Sequence, residues 1–264
     1  MGQESVIQKV EMNLALVSSD FHDCSEENLF QLAKIGNSFS CNIHFNAGDT
    51  PDKFLGHPAF DQFQNYFLLT EMNRSQDPGE YNLPENWHLL TEGIEVGDKK
   101  IPANNFLHFK YWLETKRPGI DSGYRMYSVV MVHDPGRGNL LKTTIDSIMS
   151  QQERNCYFWK MAEDAKRRAE KIAEEHRSHG LEEDVWVNAL IFGHWHHWIG
   201  FGLEGVKNFN PGSWGGDLPG KDRMCFSIII PGPLFKIQAS LSENFNQVVE
   251  ATYPARKLKE AIKV

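Results

Sequence analysis

The sequence predicts an α/β fold built around a buried β-sheet. Strand and helix patterns alternate between residues 14 and 70, which is the order of βαβ units. Apolar runs at residues 127–132 and 185–192 are typical of further buried strands. Metal-binding side chains follow the ends of these runs, where α/β sheets place their ligands. The pattern therefore predicts both the fold class and the edge of the sheet that carries the site.

The first half of the chain contains these elements in order. Residues 14–18 form an apolar run that predicts a strand. Ser25 then offers an N-cap, two acidic residues follow it, and we expect the helix to end at Gly36. The pattern continues as strand, helix and strand at residues 42–47, 57–65 and 66–70.

The second half is less regular. Residues 78–127 contain four prolines, and we expect a hairpin near 87–97 followed by an irregular insertion. Within that range, the aromatic and basic residues at 106–117 suit either a cover over the site or an amphipathic surface element. A surface helix at 156–179 and a closing hairpin of residues 224–230 and 234–240 follow. With no linker in view, we expect one domain, residues 1–264, with an insertion at about 78–127.

Composition and charge exclude several classes of protein. The 264 residues are 41% apolar and 23% charged, as in ordinary soluble globular proteins. A net charge of −8 argues against a protein that coats long nucleic acid. No apolar run approaches the ~20 residues of a membrane span, and the polar first residues lack a signal peptide. Four scattered cysteines without a CxxC pair suit a reducing compartment, so we expect a cytoplasmic location.

Seven side chains with metal-binding chemistry follow the predicted strands. They are Asp20, His22, Asp49, Asn73, His133, His194 and His196. Carboxylate, amide and imidazole ligands together suit manganese, iron or zinc better than calcium or magnesium. The two-residue spacing in Asp20–His22 and in His194–His196 points both side chains of each pair the same way on an extended chain. Each motif alone is commonplace, but seven ligands in succession suit two ions that share a carboxylate.

That succession resembles the calcineurin-like metallophosphoesterase superfamily, and it is most similar to its small phosphodiesterase branch. The matching blocks span residues 14–240 and comprise Asp20-Phe-His22, Gly48-Asp49, Met72-Asn73, Val132-His133, Gly193-His-Trp-His196 and Asn210-Pro-Gly-Ser213. The resemblance implies two mixed β-sheets packed face to face and flanked by helices, a four-layer sandwich. It also implies two divalent ions, with manganese expected first and iron, zinc or nickel as alternatives.

The resemblance further implies a ligand partition and a reaction. One ion would bind Asp20, His22, Asp49 and His196, and the other would bind Asp49, Asn73, His133 and His194. A bridging hydroxide would attack phosphorus in line, and the ions would neutralise charge on the phosphoryl oxygens. The expected enzyme hydrolyses a small phosphodiester, with nucleotide-derived diesters as candidates.

Several residues depart from the family pattern. Arg74 follows Asn73 where a general-acid histidine is usual, so it either binds a phosphate oxygen or is a surface arginine. His197 is a further candidate for a catalytic role. Asp23 and Asp134 suit either orienting carboxylates or solvated turns. Trp195, Trp198 and Trp214 suit either core packing or a wall that stacks on a base.

Three other functions are alternatives to the diesterase. A phosphomonoesterase of the same fold would use the same ligands. A binding scaffold could retain the metal site without catalysis, although the complete ligand set argues against it. A nuclease on long DNA is opposed by the net charge of −8. The sequence leaves the substrate, the native metal and the oligomeric state open.

Overall fold

The strands in the described part of the chain form two mixed sheets and a small hairpin. The computed structural model describes residues 7–22, 24–70, 81–96, 99–101, 103–116, 118–133, 163, 167, 170, 171, 174, 187–194, 196, 198–203, 206–215, 223–232, 235–242 and 248–251. The strands in these ranges are β1 (Ile7–Glu11), β2 (Ala15–Ser18), β3 (Ile43–Asn46), β4 (Asn65–Leu69), β5 (Trp87–Leu90), β6 (Ile94–Val96), β7 (Lys99–Ile101), β8 (Phe106–Leu113), β9 (Gly123–Val132), β10 (Ala189–Phe192), β11 (Trp198–Leu203), β12 (Val206–Pro211), β13 (Arg223–Ile230), β14 (Phe235–Ser242) and β15 (Val248–Ala251). Helix α1 spans Glu26–Ser38.

The two large sheets have a mixed strand direction. The seven-stranded sheet has the order β15-β14-β13-β2-β3-β4-β5, and the six-stranded sheet has the order β1-β8-β9-β10-β12-β11. Strands β2 to β5 run parallel, as do β9, β10 and β12. The carboxyl ends of β2 and β3 therefore lie side by side, and so do those of β9 and β10.

A continuous apolar core fills the space between the sheets. One side is contributed by residues such as Val17, Phe45 and Phe67, and the other by Phe109, Val129 and Ile191. Alternate residues of the seven-stranded sheet, such as Leu16 and Tyr66, face the opposite side, where α1 packs. This arrangement confirms the two mixed sheets that the resemblance implies, with one outer helical layer.

Most of the helix predicted at 156–179 falls outside the described residues. Of the helix predicted at 156–179, residues 163, 167, 170, 171 and 174 are described, and all are helical. Arg167 Nη2 lies 3.9 Å from Glu163 Oε2, the i,i+4 pairing expected on a solvated helix face. Among the described residues, no helix is long and apolar enough to cross a bilayer.

Helix α1 begins as predicted but ends later. The Ser25 side chain accepts a hydrogen bond from the Asn28 amide at 3.2 Å, which caps the first turn. The helix continues through Gly36 to Ser38. A Cβ at Gly36 would lie 2.7 Å from Phe63 Cζ, so the glycine allows close packing rather than ending the helix.

Other local predictions were wrong where long-range pairing decides the structure. Residues 57–65 form only a short 3-10 turn at Pro58–Phe60 before β4 begins. The hairpin expected near 87–97 is formed instead by β6 and β7, because β5 joins the large sheet beside β4. The described residues of 78–127, for which we expect an insertion, supply β5, β8 and the first half of β9 to the two sheets, so this part of the range is regular. Residues 106–113 are accordingly a sheet strand and not a cover over the site.

Candidate metal centre

Four loops meet at one end of the two sheets. The loop after β2 carries Asp20 and His22, and the loop after β3 carries Asp49. Across the sheet interface, His133 follows β9, and His194 and His196 follow β10. These are carboxyl ends of parallel strands, as the sequence predicts.

The backbone of these loops is left-handed at every one of those residues except His133. The φ angles are 55° at Asp20, 35° at His22, 50° at Asp49, 70° at His194 and 50° at His196. The expectation that the two-residue spacings lie on extended backbone is therefore wrong. The side chains converge because the chain turns tightly. Such a concentration of costly backbone conformations is typical of functional sites.

The first donor set contains Asp20, His22, Asp49 and His196. One ligand atom of each residue lies within 4.8 Å of those of the others. The Nε2 atoms of His22 and His196 are 2.9 Å apart, and His196 Nε2 is 3.3 Å from Asp20 Oδ1. His22 Nε2 is 3.8 Å from Asp49 Oδ2. The Asp20 carboxylate is fully buried, and a buried charge requires a counter-charge or a bound cation.

The second donor set contains Asp49, His133 and His194. Their ligand atoms also lie within 4.8 Å of one another, and His133 Nε2 is 3.5 Å from Asp49 Oδ2. Asp49 therefore belongs to both sets. Apart from Asn73, this grouping has the same members as the ligand partition that the resemblance implies.

Hydrogen bonds fix the orientation of His133. Its Nδ1 donates to the Ala47 carbonyl at 2.9 Å, which leaves Nε2 as the atom that faces Asp49. Burial lowers the pKa of His133, but the hydrogen bond and charge of Asp49 and the charge of Asp20 outweigh it and raise the pKa to about 9.

Glu92 is a site residue that the sequence analysis missed. Its Oε1 accepts a hydrogen bond from the backbone N–H of His133 at 2.6 Å. Glu92 comes from the loop after β5, so the bond ties the seven-stranded sheet to the six-stranded sheet beside the second donor set. The rule that identified the other residues, a polar side chain after a parallel strand, would have found it if β5 had been recognised.

The Asn210-Pro-Gly-Ser213 block supports the ligands. Asn210 Nδ2 donates to the Gly193 carbonyl at 2.7 Å, directly before His194. Ser213 Oγ donates to the Asp20 carbonyl at 2.9 Å. The backbone of His194 donates to Asp20 Oδ1 at 3.1 Å. The block thus holds the two loops at a fixed separation.

Close approach of the backbone explains the glycines of these loops. A Cβ at Gly193 would lie 2.6 Å from the Ala47 carbonyl oxygen, and one at Gly48 would lie 2.4 Å from His133 Nδ1. Any larger residue at these two positions would push the donor loops apart.

Other predicted site residues fall outside the described part of the chain. They are Asp23, Asn73, Arg74, Asp134, Trp195 and His197. Trp198 lies in β11, but only its backbone is described. Trp214 is fully buried, and its Nε1 donates to the Asn28 carbonyl at 3.0 Å, so core packing is the alternative that holds for this residue.

The described residues thus hold a possible metal-binding cluster of aspartate and histidine side chains. No protein-family model and no curated protein sequence matches the chain. Solved structures are similar to it at low identity. An archaeal phosphodiesterase shares 15% identity, with 86% of this chain and 99% of that chain covered, at a TM-score of 0.44.

Two further similar structures are a bacterial phosphoesterase and a Vps29 protein. Yfce, a phosphoesterase from E. coli, shares 10% identity, with 90% of this chain and 98% of that chain covered, at a TM-score of 0.40. Wild-type Vps29 from Entamoeba histolytica, complexed with Zn²⁺, shares 14% identity over 90% of this chain and 98% of that chain, at a TM-score of 0.43. Likenesses this distant establish no activity for this chain.

Proposed function

We propose that this protein is a dinuclear metal-dependent phosphoesterase that hydrolyses a small phosphodiester. The observation that carries the proposal is the shared carboxylate, because Asp49 belongs to two donor sets at once. A carboxylate between two clusters of imidazole and carboxylate ligands is the arrangement by which two-metal hydrolases hold their ions.

The donor chemistry fits borderline divalent ions. Imidazole nitrogens and carboxylate oxygens in one site suit manganese, iron, zinc and nickel, and of these we expect manganese first because the family resemblance implies it. Asp20, His22, Asp49 and His196 would hold one ion, and Asp49, Asn73, His133 and His194 the other. Ions bound there would lower the pKa of coordinated water and neutralise charge on the phosphoryl oxygens.

The protein's own part in this reaction is to fix the donors before substrate arrives. The Ala47 carbonyl holds His133 in the tautomer that presents Nε2. Ser19 Oγ and the His194 amide both donate to the Asp20 carboxylate, so this buried group cannot rotate freely. Donors fixed in advance need little reorganisation in the transition state.

The choice of a diester rests on the residues beside the metal ligands. We assign Arg74 to a phosphate oxygen, and His197 is the first candidate for a further catalytic role. Without a histidine acid after Asn73, protonation of the leaving oxygen is expected to be weak, which favours substrates with stable leaving groups. The net charge of −8 favours a small substrate over long nucleic acid.

Metal analysis and a substrate screen test the proposal together. Purified protein loaded with Mn²⁺ is expected to contain two ions per chain by elemental analysis and to hydrolyse phosphodiesters faster than phosphomonoesters. Asp49→Asn should abolish both properties, whereas Asp61→Asn, which changes an exposed acid, should preserve them.

Each other outcome contradicts a stated part of the proposal. One ion or none in fully loaded protein would overturn the dinuclear site. Two ions without turnover of any ester would favour a metal-binding scaffold. Faster turnover of alkyl monoesters would replace the diesterase with a phosphomonoesterase.

A further inference from the structure

We propose that Asn46 is a positioning residue that holds Asp49 where both donor sets can share it. The inference rests on the proposed function, since it concerns how the shared carboxylate is placed. Asn46 is the last residue of β3 and is fully buried, three residues before Asp49. No feature of the sequence pattern distinguishes it from other polar residues at strand ends.

The side chain of Asn46 uses both of its amide hydrogens and its oxygen. Nδ2 donates to Thr50 Oγ1 and to the Tyr66 hydroxyl, each at 2.8 Å. Oδ1 accepts a hydrogen bond from the Gly48 amide at 3.1 Å. These bonds reach Gly48 and Thr50, the residues on either side of Asp49, and so enclose the loop that carries the carboxylate.

The loop needs such a restraint because its backbone conformation is unusual. Gly48 has a φ of 113° and Asp49 a φ of 50°, so two consecutive residues are in the left-handed region. The bond from the Gly48 amide to Asn46 Oδ1 closes a turn two residues long, and it fixes the direction in which the chain enters Gly48 and Asp49. Without the bond from the Gly48 amide, the loop would lose a local contact that favours this turn.

Correct placement of this loop also sets the neighbouring ligand loop. The Gly48 carbonyl accepts from the Asp20 amide at 3.0 Å, and the Asp49 carbonyl accepts from the amides of Phe21 and His22 at 3.0 and 3.2 Å. A shift of Asp49 would therefore disturb Asp20 and His22 as well. Asn46 is expected to affect both ions, although its described side-chain hydrogen bonds are to Thr50, Tyr66 and Gly48 and not to a donor side chain.

Tyr66 anchors Asn46 to the core. Its ring is fully buried, with a centroid 4.1 Å from that of Trp87. Burial raises the pKa of Tyr66, so its hydroxyl stays neutral and available to Asn46. Asn46 thus links the loop of Asp49 to a side chain that is packed in the core.

The experiment compares Asn46→Leu with a matched control, Asn42→Leu. Asn42 is also buried and also makes three side-chain hydrogen bonds, to Glu11, Gln64 and Asn13, but it lies at the opposite end of β3. Both variants are expected to lose stability. Only Asn46→Leu should weaken Mn²⁺ binding by isothermal titration, by about 10–100-fold, as is typical when a residue that supports metal ligands is removed.

Two further measurements keep the test decisive. Hydrogen exchange of the Gly48 amide in metal-free protein reports the bond to Asn46 directly, and Asn46→Leu should lose that protection while Asn42→Leu retains it. Asn46→Asp keeps the acceptor for Gly48 and should recover part of the Mn²⁺ affinity. If Asn46→Leu does not fold, Tyr66→Phe removes one anchoring bond and should weaken Mn²⁺ binding with little change in fold.

The outcomes separate this inference from the proposed function. Wild-type protein that binds no Mn²⁺ would contradict the proposed function, while the Gly48 exchange would still test the role of Asn46. Wild-type protein that binds two ions, with equal Mn²⁺ affinity in Asn46→Leu and Asn42→Leu, would overturn the inference alone.

Discussion

The buried His44 should make this protein unstable in mild acid, independently of the metal centre. His44 lies in β3 with no exposed surface, and its Nε2 is 2.7 Å from Ser18 Oγ. Its ring packs among those of Phe60, Phe63 and Tyr66. Tyr66 is the titratable group in these ring contacts, and burial raises its pKa, so it stays neutral. Nothing on the three rings or on Ser18 offsets a positive charge on the imidazole.

The size of the effect follows from the pKa of His44. Burial lowers this pKa from 6.5 to about 3. The unfolded chain therefore binds a proton below about pH 6.5 that the folded chain does not bind until about pH 3. Above about pH 6.5, His44 is neutral in both states and does not affect the free energy of unfolding. As the pH falls from there towards about 3, only the unfolded chain binds the extra proton, so the free energy of unfolding decreases by about 1.4 kcal/mol per pH unit. Between about pH 7.5 and 5, His44 should lower the free energy of unfolding by about 2 kcal/mol.

The assay is urea unfolding at both pH values, with chelator present so that metal binding does not contribute. His44→Gln keeps a hydrogen-bonding group near Ser18 but does not titrate, and His44→Phe with Ser18→Ala replaces both partners by apolar groups. Each variant should lose about 2 kcal/mol less than the wild type on acidification. Equal losses in the wild type and both variants would refute the assignment, because other groups would then cause the acid sensitivity.

Three further predictions concern the site. Asp49→Asn should lower kcat/KM more than any other single ligand change, because Asp49 belongs to both donor sets; near wild-type activity, with a large loss in His22→Ala, would show that the partition is wrong. Gly48→Ala should cost more than the roughly 1–2 kcal/mol of a left-handed alanine and should weaken Mn²⁺ binding, because its Cβ would meet His133 Nδ1 at 2.4 Å. In Gly119→Ala, where φ is also positive but the space is open, urea unfolding should show the backbone cost alone. Hydrolysis of diesters graded by leaving-group pKa, with Mn²⁺ loaded, should slow steeply as that pKa rises, and a flat dependence with rate-limiting chemistry would indicate an unrecognised general acid.

The sequence alone was sufficient for the fold class and for the order of most candidate ligands. These features are local, since an apolar run such as residues 14–18 indicates a buried strand and the polar residues that follow it must lie at the strand's end. Parallel strands bring such ends together without any knowledge of register. The strand-end pattern therefore predicts by itself that Asp20, Asp49 and His133 lie near one another.

Other features depended on contacts between distant parts of the chain. Residues 106–113 contain no feature that distinguishes a sheet strand from a surface element. They form a sheet strand because they pair with β1 and β9. Glycine is common at helix ends, yet Gly36 lies inside the helix because it packs closely against Phe63. Local propensity is a weak constraint where packing is dense.

The supporting residues of the site could be found only in the tertiary structure. Glu92 and Asn46 are ordinary polar residues in sequence, and their roles come from hydrogen bonds to the backbones of His133 and Gly48. The left-handed turns that aim Asp20 and Asp49 likewise depend on bonds between two loops. The sequence determined which donor groups are present and in what order, because that follows from local pattern. The tertiary structure determined their directions and supports, because these depend on partners far away in the chain.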